Sequence, residues 1–127
     1  MPVRSSIDKQ RRLILTEVVG CVKFHDVRAH QDRLIADPDF DPTFDQLIDT
    51  TPATMVDLTP TEAKLLAQRR IVSPESRRAL VANTPYIYGL GRMMEVYHAI
   101  LEYACVKVFH SVDEALKWLE CSSAILH

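Results

Sequence analysis

The chain has 127 residues, 47% hydrophobic and 25% charged, with a net charge of −2 at pH 7. That length encloses one core, and the composition is globular rather than disordered. The near-neutral charge argues against general affinity for nucleic acid or anionic membrane. No apolar run approaches the roughly 18 residues of a membrane span. The polar start, Met1–Asp8, lacks the apolar core of a secretion signal, so the cytoplasm is the expected compartment.

Val3–Ile7 reads as a short edge strand. Arg12–Val19 (RLILTEVV) is rich in branched residues and stops at Gly20, which reads as a second strand. Phe24–Asp37 sets Val27, His30 and Leu34 at helical spacing, and Pro38 closes it. Phe44–Asp49 (FDQLID) is short and apolar at its centre, as a buried strand is. Thr59-Pro60-Thr61-Glu62 starts a helix: Thr59 caps, Pro60 suits the first helical position, and Glu62 reaches back to close the box. That helix is predicted to run to Ile71, ahead of Ser73-Pro74.

Arg78–Ala82 is the next strand, and Thr84-Pro85 opens the next helix by the same cap-then-proline logic. Ile87, Leu90, Met94 and Leu101 form its apolar stripe. Ala104–Phe109 is the last strand, with Cys105 expected as a small buried hydrophobe. Ser111 and Glu114 form a second capping box before a helix whose inner face is Ala115, Leu116 and Leu119, with Trp118 beside them. The order β-β-α-β-α-β-α-β-α implies an α/β fold. It has a mixed, mostly parallel sheet of about five strands, about four helices and right-handed crossovers. One domain is expected over 1–127, with 120–127 a frayed tail. Ligands and partners of such sheets meet the carboxyl ends of the strands, here Gly20–Lys23, Asp49–Thr59, Asn83–Thr84 and His110. The Asp45–Thr59 strand-to-helix connection is the leading candidate for a working surface.

Several stretches, read together, resemble the anti-sigma-factor-antagonist superfamily, SpoIIAA-like or STAS-like. They are Ile14–Val19, Asp26–Phe44, Asp45–Asp49, Val56–Leu58, Ser73–Leu80, Tyr88–Met93 and Val108–Leu119. The chain is most similar to small bacterial SpoIIAA-like proteins of unassigned function. The resemblance implies a sheet covered by helices, no enzymatic activity, and an anti-sigma-factor or kinase-like protein partner. In the antagonists, an Asp-Ser-Ser-Gly turn carries a serine that a kinase phosphorylates. The matching positions here are Asp57, Leu58, Thr59 and Pro60. Leu58 has no hydroxyl, so the phosphoserine switch is expected to be absent. Asp49, Asp57, Leu58 and Thr59 remain as a candidate interaction turn.

Other clusters are weaker. Asp37-Pro38-Asp39-Phe40-Asp41 invites a calcium reading, but Pro42 stands where the turn glycine belongs and Ile48 where the bidentate Glu belongs. Aspartates in turns are the expected reading. The basic residues of Lys64–Arg78 suit a solvated face pairing with nearby carboxylates. Gly89-Leu90-Gly91-Arg92 lacks the third glycine of a nucleotide loop and falls within a helix, where a glycine wants a packing reason. Around it, Tyr88, Gly89, Gly91, Arg92 and Met93 are a candidate pocket. Cys21 and His25 are close in sequence but have no third orienting group. No catalytic residue, metal site or cofactor is assigned. The leading expectation is a non-enzymatic regulatory or protein-interaction domain. The alternative is a small-molecule or lipid-binding domain with an apolar pocket between sheet and helices, and a thiol or hydrolase enzyme is third. A homodimer through an exposed sheet edge is compatible with all three.

Overall fold

The computed structural model describes residues 2–101 and 105–125, with side chains described as far as residue 120. The elements are β1 (Val3–Asp8), β2 (Leu13–Val18), β3 (Gly20–Lys23), α1 (Phe24–Ala36), β4 (Asp45–Asp49) and β5 (Ala53–Asp57). They continue with α2 (Pro60–Ala67), β6 (Arg77–Val81), α3 (Pro85–Ile100), β7 (Cys105–Phe109) and α4 (Val112–Ile125). Five strands form one sheet in the order β1-β2-β4-β6-β7. β1 and β2 are an antiparallel hairpin with Val3 opposite Val18, and the remaining pairs are parallel. The expected mixed, mostly parallel sheet with four helices is present.

Strand residues alternate between faces, and both faces are covered. On one side Leu13, Leu47, Ala79 and Val81 pack against Ala115 and Leu119 of α4, with Trp118 alongside. On the other, Ile14 meets Leu34 of α1, and Val108 meets Ile87 of α3. Cys105 is exposed, against expectation. It opens β7, the edge strand of the sheet, where neither helix layer shields it.

The largest departure from the sequence reading is a second sheet. β3 and β5 pair in parallel, within stretches that read as connections. They prolong β2 and β4 past a kink. Gly20 takes φ +69°, a left-handed conformation suited to glycine. Between the pairs Glu17↔Asp49 and Gly20↔Ala53 one chain advances three residues and the other four, so an extra residue bends the ribbon. Thr50 secures the departure of β4, because its N–H and its hydroxyl both donate to the Val81 carbonyl, at 3.0 and 2.6 Å.

Helix starts follow the sequence closely. The Thr59 hydroxyl accepts from Glu62 N–H at 3.1 Å, and the Glu62 carboxylate accepts from Thr59 N–H at 2.9 Å. At Ser111 the box is modified: Ser111 Oγ accepts from Glu114 N–H but donates to the Glu114 carboxylate. α2 stops at Ala67, short of Ile71. Arg70 sits at φ +49°, and Arg69 is drawn sideways onto α1, where it donates to Gln31 Oε1 and the Arg28 carbonyl and pairs with Asp32.

The two helical glycines differ. A Cβ at Gly91 would lie 2.8 Å from Val108 Cγ2 and 2.9 Å from Leu80 Cδ2, whereas one at Gly89 would meet nothing within 4 Å. Gly91 thus lets α3 settle on β6 and β7. Gly91→Ala is expected to destabilise the fold by about 1–3 kcal/mol through overpacking. Gly89→Ala should stabilise it by up to about 1 kcal/mol through helix propensity. Urea unfolding of both variants checks the opposite signs.

Candidate functional site

The site is built from the kink. Because β3 and β5 lift away from the main sheet, α2 follows them and packs chiefly against α1 and α3. A cavity of about 210 Å³, partly open to solvent, lies between α2 and the sheet. Val18, Ile48 and Leu80 supply its sheet wall, and Val22 and Val56 come from the lifted ribbon. Ala63, Leu66 and Ala67 face it from α2, and Leu90, Gly91 and Met94 from α3. Pins hold α2 at its rim: Gln68 Nε2 donates to Tyr97 Oη at 3.0 Å, and Tyr86 Oη donates to the Leu58 carbonyl at 2.6 Å.

One band of this apolar wall is polar. Thr16, Gln46 and Arg78 occupy the cavity-facing side of β2, β4 and β6, where apolar residues would ordinarily fill a core, and Gln46 is level with Arg78 in the register. Gln46 is 4% exposed and His30 6%. Gln46 Nε2 donates to Thr16 Oγ1 at 2.8 Å, Thr16 Oγ1 is 2.7 Å from Ser5 Oγ, and Ser5 Oγ is 2.5 Å from His30 Nε2. Gln46 Nε2 is the donor to Thr16 Oγ1, and each hydroxyl further along the chain can give or take its proton. Burial, reinforced by the Arg33 charge, pushes the His30 pKa down to about 4, which keeps the ring neutral at pH 7. Gln46 Oε1 is buried and has no partner. Arg78 is partnered.

The residues singled out from sequence divide. Leu58 and Gly91 line the cavity, while Asp49, Asp57, Thr59, Tyr88, Gly89, Arg92 and Met93 do not. Asp49 accepts from the backbone and hydroxyl of Thr51 in a turn, and Thr59 is committed to its cap. Asp57 is exposed. Tyr88 stacks on His110, centroids 4.2 Å apart, and Arg92 pairs with Glu95. Helical geometry explains the split: Ile87, Leu90, Gly91 and Met94 share the inward face of α3, and Gly89 and Arg92 point outward. Cys21 and His25 are both exposed and share no hydrogen bond, and the His25 ring lies against Asp26. The aspartates around Pro38 are engaged locally, Asp37 and Asp41 in turns and Asp39 with Lys9.

Thr16, His30, Gln46 and Arg78 were not singled out from sequence as site residues. A signal was available: in a sheet covered on both faces, a polar residue at the centre of a strand, such as Gln46 in FDQLID, must face a helix layer.

No family model and no curated protein matches the chain. Its backbone is similar to the crystal structure of an uncharacterized DUF3478-family protein with a SpoIIAA-like fold from Shewanella loihica PV-4. The TM-score is 0.62 at 18% identity, over 92% of this chain and 93% of that one. The chain therefore has a SpoIIAA-like fold, here enclosing an apolar cavity crossed by a polar band. Among the described residues, no helix is long and apolar enough to cross a membrane.

The neutral, buried His30 makes stability depend on pH. Its folded-state pKa lies below the ordinary 6.5, so the unfolded chain takes up the proton first. Its contribution is intact above pH 6.5 and is lost as pH falls toward 4. Burial also lowers the His98 pKa, which acts in the same direction. Moving from pH 7 to pH 5 is expected to cost about 1–2 kcal/mol through His30 alone. His30→Gln should flatten that slope in urea titrations at the two pH values.

Proposed function

We propose that this domain is a non-enzymatic binding module that takes up a small, largely apolar molecule between the sheet and α2. The observation that carries the reading is the cavity itself. About 210 Å³ of space is walled mainly by Val, Leu, Ile, Ala and Met side chains at the centre of the fold. An apolar cavity of about 150 Å³ already admits benzene, so a ring or short chain is the fitting size. The absence of catalysis is supported by the chemistry of the nearest candidates. Ser5 and His30 are hydrogen-bonded, but a histidine titrating at about 4 is a poor general base at neutral pH. Cys21 and His25 are not joined.

A regulatory protein contact is the second reading. It is favoured by the outer rim, where Met55 and Tyr86 are each 55% exposed beside the exposed Asp57. The two readings are compatible, because Tyr86 holds the Leu58 carbonyl and Leu58 forms part of the cavity wall.

Toluene near saturation is expected to raise the melting temperature by a few degrees, since a ligand that binds only the folded state stabilises it by mass action. Ala63→Phe, which projects a ring from α2 into the cavity, should abolish that shift. Calorimetry showing no toluene effect on the unmodified protein would remove the basis for the reading.

A further inference from the structure

We propose that a second copy of this chain docks along the free edge of β1, with the two β1 strands antiparallel and centred on Ser6, so that the main sheet runs on through a two-fold dimer. The contact is independent of the cavity. β1 is a terminal strand of the sheet, and Arg4, Ser5 and Ser6 in it are exposed. It pairs with β2 in one unbroken register from Val3 to Asp8, so its outer edge is straight enough to take another strand. The Val19 N–H donates to the Pro2 carbonyl, which sets the phase of the ladder. Bonded and non-bonded residues alternate in an antiparallel pair. Arg4, Ser6 and Asp8 therefore turn their backbone groups to β2, and Val3, Ser5 and Ile7 turn theirs to the open side. Arg33 Nη2 donates to the Val3 carbonyl at 3.1 Å. Ser5 and Ile7 present both N–H and C=O with no strand beyond them.

The register follows from what is taken and what is charged. Centring the pair on Ser5 sets Val3 against Ile7 of the second copy and needs the carbonyl that Arg33 holds. Centring it on Ser6 needs only Ser5 and Ile7, each exchanging both bonds with the other across the two-fold axis. It also sets Arg4 of each copy opposite Asp8 of the other. Charges on an edge strand ordinarily keep a second edge away, but here the two signs are spaced so that the axis brings opposites together, which stabilises facing strands. Arg4 is exposed and has Glu17 on its β2 side. Asp8 accepts from Arg11 N–H through Oδ1, so Oδ2 can meet Arg4. The helix above leaves room for the approach. Ala29 and Ala36, both exposed, share the α1 face of Arg33, whose side chain reaches the edge.

Two measurements test the dimer. Sedimentation of the unmodified chain should show a reversible, concentration-dependent dimer. Arg4→Glu should weaken it about tenfold, because the change acts at both ends of the ladder, and adding Asp8→Lys should restore it. Single cysteines placed at Arg4, Ser6 and Asp8, with Cys21, Cys105 and Cys121 changed to Ser, then read the register. The two Ser6 positions face each other as a non-bonded pair, with Cα atoms about 4.5 Å apart and within disulfide reach. Ser6→Cys should therefore oxidise to a covalent dimer, whereas Arg4→Cys and Asp8→Cys should link to each other in a mixture and not to themselves. A chain that stays monomeric at every concentration overturns the proposal. So does a dimer in which Ser6→Cys links no faster than Arg4→Cys or Asp8→Cys alone, since the copies then meet elsewhere or in another register. The cysteine series decides the matter even where Arg4→Glu does not fold.

Discussion

The structure turns on the place where β4 leaves the sheet. Thr50 is buried, and both its N–H and its hydroxyl bond the carbonyl of Val81, the last residue of β6. Two donors on one carbonyl close the end of β6 and free the chain beyond to go elsewhere. It runs on with the kinked continuation of β2, and the β3–β5 ribbon results. Everything that distinguishes this domain from a plain layered sheet follows. α2 begins at the end of the ribbon and inherits its height. It rests on the neighbouring helices and leaves space beneath. Protein interiors pack near crystal density, so a persistent void of this size needs a structural cause, and the lifted ribbon supplies one.

Much of the fold was legible because its signals are local. Thr59-Pro60-Thr61-Glu62 needs only its own four residues to start a helix, and Thr84-Pro85 needs only its own cap. The β3–β5 pair was not legible. Gly20–Lys23 and Ala53–Asp57 are short, and each presents little more than one or two apolar side chains to the interior, Val22 in the first and Ala53 and Val56 in the second. They are strands because each finds the other across more than thirty residues, a fact that no window of sequence contains. The end of α2 was misplaced for a related reason. Arg69 prefers helix in isolation, but its bonds to Arg28, Gln31 and Asp32 lie on another element.

The site divides along the same line. Periodicity marked the α3 face as apolar, but the candidate pocket drawn from consecutive residues around Gly89 mixed inward and outward positions of a helix. Only Gly91 of that set borders the cavity. The polar band was invisible for a different reason: Thr16, Gln46 and Arg78 lie in three separate strands, and only the pairing of those strands sets Gln46 opposite Arg78 and Thr16 two residues along β2 from the partner of Gln46. Buried polar groups are costly unless mutually satisfied. Here a chain of hydrogen bonds joins Gln46 through Thr16 and Ser5 to a histidine that burial keeps neutral. That chain ties β1, β2, β4 and α1 to one another, and Arg78 is the charged member of the band.

The turn at Asp57–Pro60 acquires a different meaning in this setting. The resemblance to anti-sigma-factor antagonists places Leu58 where those proteins carry a phosphorylated serine. A solvent-facing hydroxyl would be needed there for a kinase to reach. Leu58 is instead half-buried and forms part of the cavity wall, while its carbonyl is held by Tyr86. The substitution therefore does more than delete an acceptor. It places an apolar side chain in the cavity wall, and the neighbouring Thr59 caps α2 together with Glu62. On this fold the same turn stands close to both the outer rim and the cavity. Leu58 joins the two: its side chain forms part of the cavity wall, and its carbonyl is held by Tyr86, which is exposed at the surface.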